Sequence, residues 1–185
     1  MYRLAVTLPN FLTLLRIILI PFFIGCFYLP FTWAHWLTAG IFLLAAITDW
    51  LDGYLARQLK QSSAFGAFLD PVADKLMVAA ALVLIVSQYP AFWTAIAGIV
   101  VISREILISA LREWMAELGK RASVKVSFIG KIKTTFQMIA LVVLLSQPTG
   151  YTHFVIFGFV MLGIAVVLTL WSMVLYLVTA WKVLR

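Results

Sequence analysis

Long apolar runs alternate along this chain with short breaks that are polar or contain proline. An α-helix needs about 20 mainly apolar residues to cross a bilayer, because the hydrocarbon core is about 30 Å thick. The runs that approach this length predict six helices. They cover residues 11–29, 34–57, 68–88, 92–114, 132–147 and 153–180. The breaks contain the helix-ending signals Pro30, Pro90 and the turn Pro148-Thr149-Gly150.

The amino-acid composition indicates that these helices span a membrane. The chain has 185 residues, of which 64% are hydrophobic and 11% charged, whereas soluble domains are about 45–50% apolar and about 25% charged. No charge run or linker long enough to divide the chain interrupts the pattern. We therefore expect an all-α integral membrane protein, with six transmembrane helices packed as one bundle in a single domain, residues 1–185.

The basic residues lie on one side of the predicted bundle. The connections at 28–35, 87–93 and 146–153 contain no Lys or Arg, whereas the turn at 57–60, the 112–133 connection and the 182–185 tail are basic. The positive-inside rule then predicts that both termini are cytoplasmic. The net charge of +7 is thereby explained by orientation and attraction to anionic membrane lipids, not by nucleic acid.

Four of the seven acidic residues are concentrated in the stretch from 48 to 75: Asp49, Asp52, Asp70 and Asp74. In the predicted topology the first two end the second span and the last two begin the third, so all four lie in the cytoplasmic leaflet. Within each pair the residues are three or four apart and share a helix face. Gly53 offers a position where no side chain blocks the close approach of a ligand.

These carboxylates repel one another in a poorly solvated region, so they require cationic partners. Hard divalent cations such as Mg²⁺ or Mn²⁺ prefer carboxylate oxygen, and two ions would neutralise the four aspartates. Interfacial salt bridges to Arg57, Lys60 and Lys75 are one alternative, but they do not explain the paired spacing or the two glycines, Gly53 and Gly66. A cation pathway is another, but the acids cluster at one face of the membrane. A dinuclear site open to the cytoplasm suits phosphoryl chemistry on a lipid.

The stretch resembles the signature of the CDP-alcohol phosphotransferases. All eight positions of that signature are present over 26 residues: Asp49, Asp52, Gly53, Ala56, Arg57, Gly66, Asp70 and Asp74. The segments 8–16, 103–121 and 130–137 are similar to the bacterial branch that moves a phosphatidyl group from CDP-diacylglycerol to glycerol 3-phosphate and releases CMP. A sister transferase using an inositol phosphate, serine or phosphatidylglycerol is the nearest alternative. A metal-ion carrier would need an acid-lined route to the outer face.

The resemblance implies a role for each motif residue. Asp49, Asp52 and Asp70 would bind the metal ions, and Asp74, also near the metals, would act as the general base. The CDP group would lie against the helix from Asp49 to Arg57, with Gly66 close by. Asn10 and Thr13 are further candidates for polar contacts in this region, although helix entry and local backbone hydrogen bonding would also explain them. Direct displacement is expected, because the topology leaves Cys26, His35 and His153 remote from the aspartates.

The acceptor carries a phosphate, so its binding pocket should contain further cationic side chains. Arg104 and Arg112 are eight residues apart with Ile108 midway, and so lie along one helix face. Arg104 falls inside the fourth span, where an ionisable group is a functional candidate, although an ion pair with Glu105 or an aspartate would also explain it. Arg112, Lys131 and Lys133 either contact the acceptor phosphate or lie at the interface as orientation signals. The resemblance further implies a homodimer in the bacterial cytoplasmic membrane, with the active site facing the cytoplasm.

Overall fold

The computed structural model describes residues 8–59, 64–119, 128–147, 150 and 152–184. These residues form six α-helices, which confirms the predicted all-α class and helix number. The helices are α1 (Leu8–Phe27), α2 (Ala34–Leu59), α3 (Ala64–Gln88), α4 (Phe92–Glu117), α5 (Phe128–Ser146) and α6 (His153–Leu184).

Two of the described helices are long and apolar enough to cross a membrane, judged by length and composition: α4, and α6 from His153 to Lys182. Shorter apolar stretches occur in α1, α2 and α5, at Phe11–Phe27, Ala34–Asp49 and Ile132–Ser146. The number of spans and the orientation of the termini therefore stay predictions.

Helix α6 is mainly apolar on both its buried and its exposed face. Every third or fourth residue from Val155 to Ala180 is buried, which is the spacing of one helix face. The opposite face is also apolar and carries exposed residues such as Val167, Trp171 and Trp181. A helix in water would carry polar residues on that face, so this composition fits contact with lipid.

The chain divides into two compact units. The first contains α1, α2, α3 up to Ile85, and residues 145–148; the second runs from Val86 to Leu144 and resumes with α6. In the first unit α1 packs against α2, and the buried rings of Phe23 and Phe42 lie 6.1 Å apart between their centroids. In the second unit α4 packs against α6.

Candidate active site

Helix α1 contacts the aspartates of both neighbouring helices in the first unit. The Arg16 guanidinium donates from Nη1 to Oδ1 of Asp49 on α2, at 2.6 Å. The Thr13 hydroxyl donates to Oδ1 of Asp70 on α3. Thr13 is fully buried and Arg16 is 2% exposed, whereas the Asp49 side chain is 42% exposed. The donors are thus enclosed in the protein, while the Asp49 carboxylate remains accessible.

The other motif residues lie on α2 and α3. Asp74 is exposed and lies one turn after Asp70 on α3. Gly66 is buried and lies one turn before Asp70. The side chains of Asp52, Ala56 and Arg57 lie outside the described part of the structure, as do those of Asn10 and Lys131 and the surroundings of Gly53. Their predicted roles stay predictions: metal and nucleotide binding for Asp52, nucleotide binding for Gly53, Ala56, Arg57 and Asn10, and acceptor-phosphate binding for Lys131. Thr13, predicted near the nucleotide, contacts Asp70.

The carboxylates of Asp49 and Asp70 are suitable ligands for a hard divalent cation. Among the residues whose side chains are described, no group of three or more acids, histidines or cysteines is arranged to hold a metal, and the predicted ligand Asp52 is not among them. Asp49 and Asp70 each accept a hydrogen bond from α1 on Oδ1. A carboxylate has two oxygens and about four lone-pair sites, so one hydrogen bond leaves it able to bind a cation. Oxygen is the ligand that Mg²⁺ and Mn²⁺ prefer.

A second polar cluster lies within the second unit, around Glu105 on α4. Oε1 of Glu105 accepts from Arg104 Nη1 at 2.9 Å and from Lys133 Nζ at 2.5 Å. Arg104 also donates from Nη2 to the Ser172 hydroxyl at 3.2 Å, and its guanidinium carbon lies 5.9 Å from the centre of the Tyr176 ring. Helices α4, α5 and α6 each contribute to this cluster.

This cluster joins two of the four predicted acceptor residues. Arg104 is 8% exposed and Lys133 is 3% exposed, so interfacial snorkelling does not describe Lys133. Arg112 is exposed although it shares a helical register with Arg104 and Ile108. The ion pair expected as the alternative for Arg104 is present, with Glu105 as its partner.

Arg16 is the residue that the sequence argument missed. Its partner Asp49 is 33 residues away, and helical periodicity within one segment cannot reveal such a contact. One signal was available: Asn10, Thr13 and Arg16 follow one another at three-residue spacing, and Arg16 lies inside an apolar run where an ionisable group is a functional candidate.

Comparison with known proteins decides the family. The model of the CDP-alcohol phosphatidyltransferase family matches residues 6–171. The chain belongs to this family. The family is generally dependent on a divalent metal.

Three similar curated relatives of this chain are each named CDP-diacylglycerol–glycerol-3-phosphate 3-phosphatidyltransferase. The relative from Yersinia enterocolitica is 58% identical over 175 residues, covering 95% of each chain. Those from Salmonella typhimurium and Shigella flexneri are each 57% identical over 173 residues, covering 94% of each chain. The similarity therefore extends across both compact units and both polar clusters.

Proposed function

We propose that this protein transfers the phosphatidyl group of CDP-diacylglycerol to glycerol 3-phosphate, giving phosphatidylglycerophosphate and CMP. The observation that carries the proposal is the 57% identity over 94% of the chain to relatives named for this activity. The complete aspartate motif supports it, since two of its carboxylates, Asp49 on α2 and Asp70 on α3, each accept a hydrogen bond from α1.

Asp49, Asp52, Asp70 and Asp74 would hold the divalent ions, Mg²⁺ or Mn²⁺ and two in number. Such ions, when bound, neutralise charge on phosphate oxygens and on the leaving group. Four carboxylates match the formal charge of two divalent ions, and the α1 contacts leave Asp49 and Asp70 with further acceptor capacity. Gly53, Ala56 and Arg57 on α2, with Gly66 on α3, would bind the CDP group, and Asn10 is a further candidate.

Asp74 would act as the general base. It accepts the proton of the primary hydroxyl of glycerol 3-phosphate as that oxygen forms a bond to the phosphorus of the phosphatidyl group. The bond from this phosphorus to the CMP oxygen breaks, and CMP leaves. The exposure of Asp74 is compatible with a water-soluble acceptor. No covalent intermediate is needed, and Cys26 lies ten residues beyond Arg16 on α1, about 15 Å along the helix.

Arg104, Arg112, Lys131 and Lys133 would bind the acceptor phosphate. Arg104 and Lys133 together carry two positive charges against the single carboxylate of Glu105, so this trio has a net charge of +1. The buried Nε of Arg104 has no hydrogen-bond partner among the described residues. A guanidinium with an available N–H and excess positive charge suits a phosphate dianion.

The protein would span the bacterial cytoplasmic membrane six times, with both termini and the aspartates on the cytoplasmic side, and function as a homodimer. The apolar outer face of α6 and the one-sided distribution of basic loops support the membrane assignment. The homodimer rests on the family resemblance alone.

A purified-protein assay tests the reaction. The full chain in detergent micelles receives CDP-diacylglycerol, Mg²⁺ or Mn²⁺, and either glycerol 3-phosphate, an inositol phosphate, serine or phosphatidylglycerol, and CMP release is measured. We expect rapid release with glycerol 3-phosphate. Equal or faster release with another acceptor would identify a sister transferase, and no release with any acceptor would refute phosphatidyl transfer.

A further inference from the structure

The hydroxyl of Thr13 has a different kind of partner from the hydroxyls of four other described threonines. Those of Thr38, Thr48, Thr134 and Thr179 donate to backbone carbonyls three or four residues earlier in their own helices, at 2.8–2.9 Å. This is the usual way for a helical threonine to satisfy its hydroxyl. Thr13 instead donates to the carboxylate of Asp70, 57 residues away in the sequence. Its hydroxyl is therefore directed at a motif residue.

Arg16 lies one turn further along the same face of α1. A buried guanidinium requires a partner, because its isolated charge would be costly away from water. Its Nη1 donates to Asp49 at 2.6 Å. Because residues three apart share a helix face, this one face of α1 provides donors to carboxylates of both α2 and α3. The two donors are more completely buried than the acids they contact.

We infer that Thr13 and Arg16 are positioning residues, which orient the Asp70 and Asp49 carboxylates for a divalent cation. The inference rests on the proposed function, in which these aspartates bind metal. Groups that hydrogen-bond to metal ligands fix ligand orientation, and their loss typically weakens metal binding or activity about 10- to 100-fold. Neither residue belongs to the eight-position motif.

The charge of Arg16 and its orienting hydrogen bond to Asp49 should have opposite effects on metal affinity. The positive guanidinium repels a metal ion bound nearby, so removing the charge alone would strengthen metal binding. Losing the fixed orientation of Asp49 would weaken it. Arg16→Lys retains the charge but loses the planar fork of donors, and so isolates the orientation effect.

Binding of Mn²⁺ to the purified full chain in detergent micelles, followed by electron paramagnetic resonance, tests the inference. We expect Thr13→Val to raise the Mn²⁺ dissociation constant about 10-fold or more, and Thr13→Ser, which keeps the hydroxyl, to restore most of the affinity. Thr38→Val is the matched control: Thr38 is also fully buried in the first unit, and its hydroxyl bonds to the Ala34 carbonyl. Thr38→Val should bind Mn²⁺ like the unmodified protein.

Arg16→Lys should also weaken Mn²⁺ binding about 10-fold. Elution as a monodisperse species in size-exclusion chromatography selects folded protein, so binding is measured per folded molecule. Unchanged Mn²⁺ affinity in folded Thr13→Val and Arg16→Lys would overturn the inference, as would tighter binding in Arg16→Lys. A purely structural role predicts lower thermal stability with unchanged affinity.

Asp49→Asn separates failure of the inference from failure of the proposed function. If the unmodified protein binds Mn²⁺ and Asp49→Asn abolishes that binding, the assignment of the metal site is supported. The results for Thr13→Val and Arg16→Lys then test the positioning inference alone. If Asp49→Asn binds Mn²⁺ like the unmodified protein, Asp49 is not a ligand, and both the metal assignment and the inference built on it fail.

Discussion

Asp74 is the exposed aspartate of α3, one turn beyond the Thr13-bonded Asp70. As the base it would accept a proton only during attack, so its loss should affect turnover more than donor binding. We predict that Asp74→Asn lowers kcat by about 10²- to 10⁴-fold, the usual contribution of general base catalysis. Binding of CDP-diacylglycerol should remain substantial. CMP release under saturating substrates and a separate donor-binding measurement check the two expectations.

Glu117→Gln provides the control for Asp74→Asn. Glu117 is an exposed acid at the end of α4 and lies outside the motif. This variant should retain near-normal turnover. Near-normal turnover of Asp74→Asn as well would remove Asp74 from the role of base. Loss of both turnover and donor binding would indicate that Asp74 contributes mainly through metal binding or folding and not as the base.

Loss of the Arg104 side chain should weaken binding of the acceptor, glycerol 3-phosphate, more than binding of the donor, CDP-diacylglycerol. Arg104→Ala removes one of the two cations on Glu105 and the group with an available buried N–H. We predict that the KM for glycerol 3-phosphate rises at least about 10-fold, as expected for a lost charged hydrogen bond of about 1.5–3 kcal/mol. The KM for CDP-diacylglycerol should change much less. Steady-state kinetics with each substrate varied in turn measure both.

Ser172→Ala is the comparison for Arg104. It removes the hydroxyl that accepts from Nη2 of Arg104 but leaves every charge of the cluster in place. A smaller rise in the glycerol 3-phosphate KM is expected, because the guanidinium remains. Equal increases of both substrate KM values in Arg104→Ala would contradict a specific phosphate contact.

At the scale of the helices, hydropathy predicts the apolar part of a helix better than its ends. The third and fourth helices were predicted as 68–88 and 92–114, and they extend over Ala64–Gln88 and Phe92–Glu117. The added residues are 64–67, Ala-Phe-Gly-Ala, and 115–117, Met-Ala-Glu, so most of them are not polar and the helix ends lie beyond the predicted spans for another reason than a loss of hydropathy. Proline was used as a helix-ending signal, yet α1 and α3 continue through Pro21 and Pro71. A proline within a packed apolar helix is tolerated when neighbouring groups satisfy the freed backbone.

Close packing of α6 on α5 depends on Gly158. A Cβ at this position would lie 2.8 Å from Cδ2 and from Cγ of Leu144, which is fully buried. We predict that Gly158→Ala destabilises the protein by about 1–3 kcal/mol, the usual cost of overpacking. The apparent Tm in detergent micelles should fall accordingly, as measured by circular dichroism.

Gly163→Ala is the matched substitution on the same helix. A Cβ at Gly163 would meet no atom within 4 Å. Alanine is about 1 kcal/mol more favourable than glycine in a helix interior, so this variant should keep or raise the Tm. An unchanged Tm in Gly158→Ala would show that Leu144 moves aside without cost.

At the scale of the whole molecule, short-range patterns were predictable and contacts between distant segments were not. The 3.6-residue period and the length of the apolar runs gave the six helices, and the spacing of Asp70 and Asp74 put them one turn apart on α3. The contacts of Asp49 with Arg16 and of Asp70 with Thr13 depend on packing between helices. So does the sharing of Glu105 by Arg104 and Lys133. Single-helix periodicity contains no information on such pairs.

The predicted orientation in the membrane rests on the distribution of charge, and it can be tested with single cysteines. Cys26 is the single cysteine of the chain, so Cys26→Ser gives a background without thiols. Ser87→Cys and Thr152→Cys introduce exposed thiols in or beside the uncharged connections, and Glu117→Cys and Lys182→Cys introduce them near the basic ends. All four native side chains are exposed, so burial should not prevent labelling.

In intact spheroplasts, a membrane-impermeant maleimide should label the cysteines at positions 87 and 152 and not those at 117 and 182. After permeabilisation all four should react, which controls for thiol reactivity. This result follows if Lys and Arg remain on the cytoplasmic side, and it would assign the turn between α2 and α3 to that side too. Labelling at 117 or 182 from outside would contradict the orientation, and with it the cytoplasmic access to Asp74 on which use of a soluble phosphorylated acceptor depends.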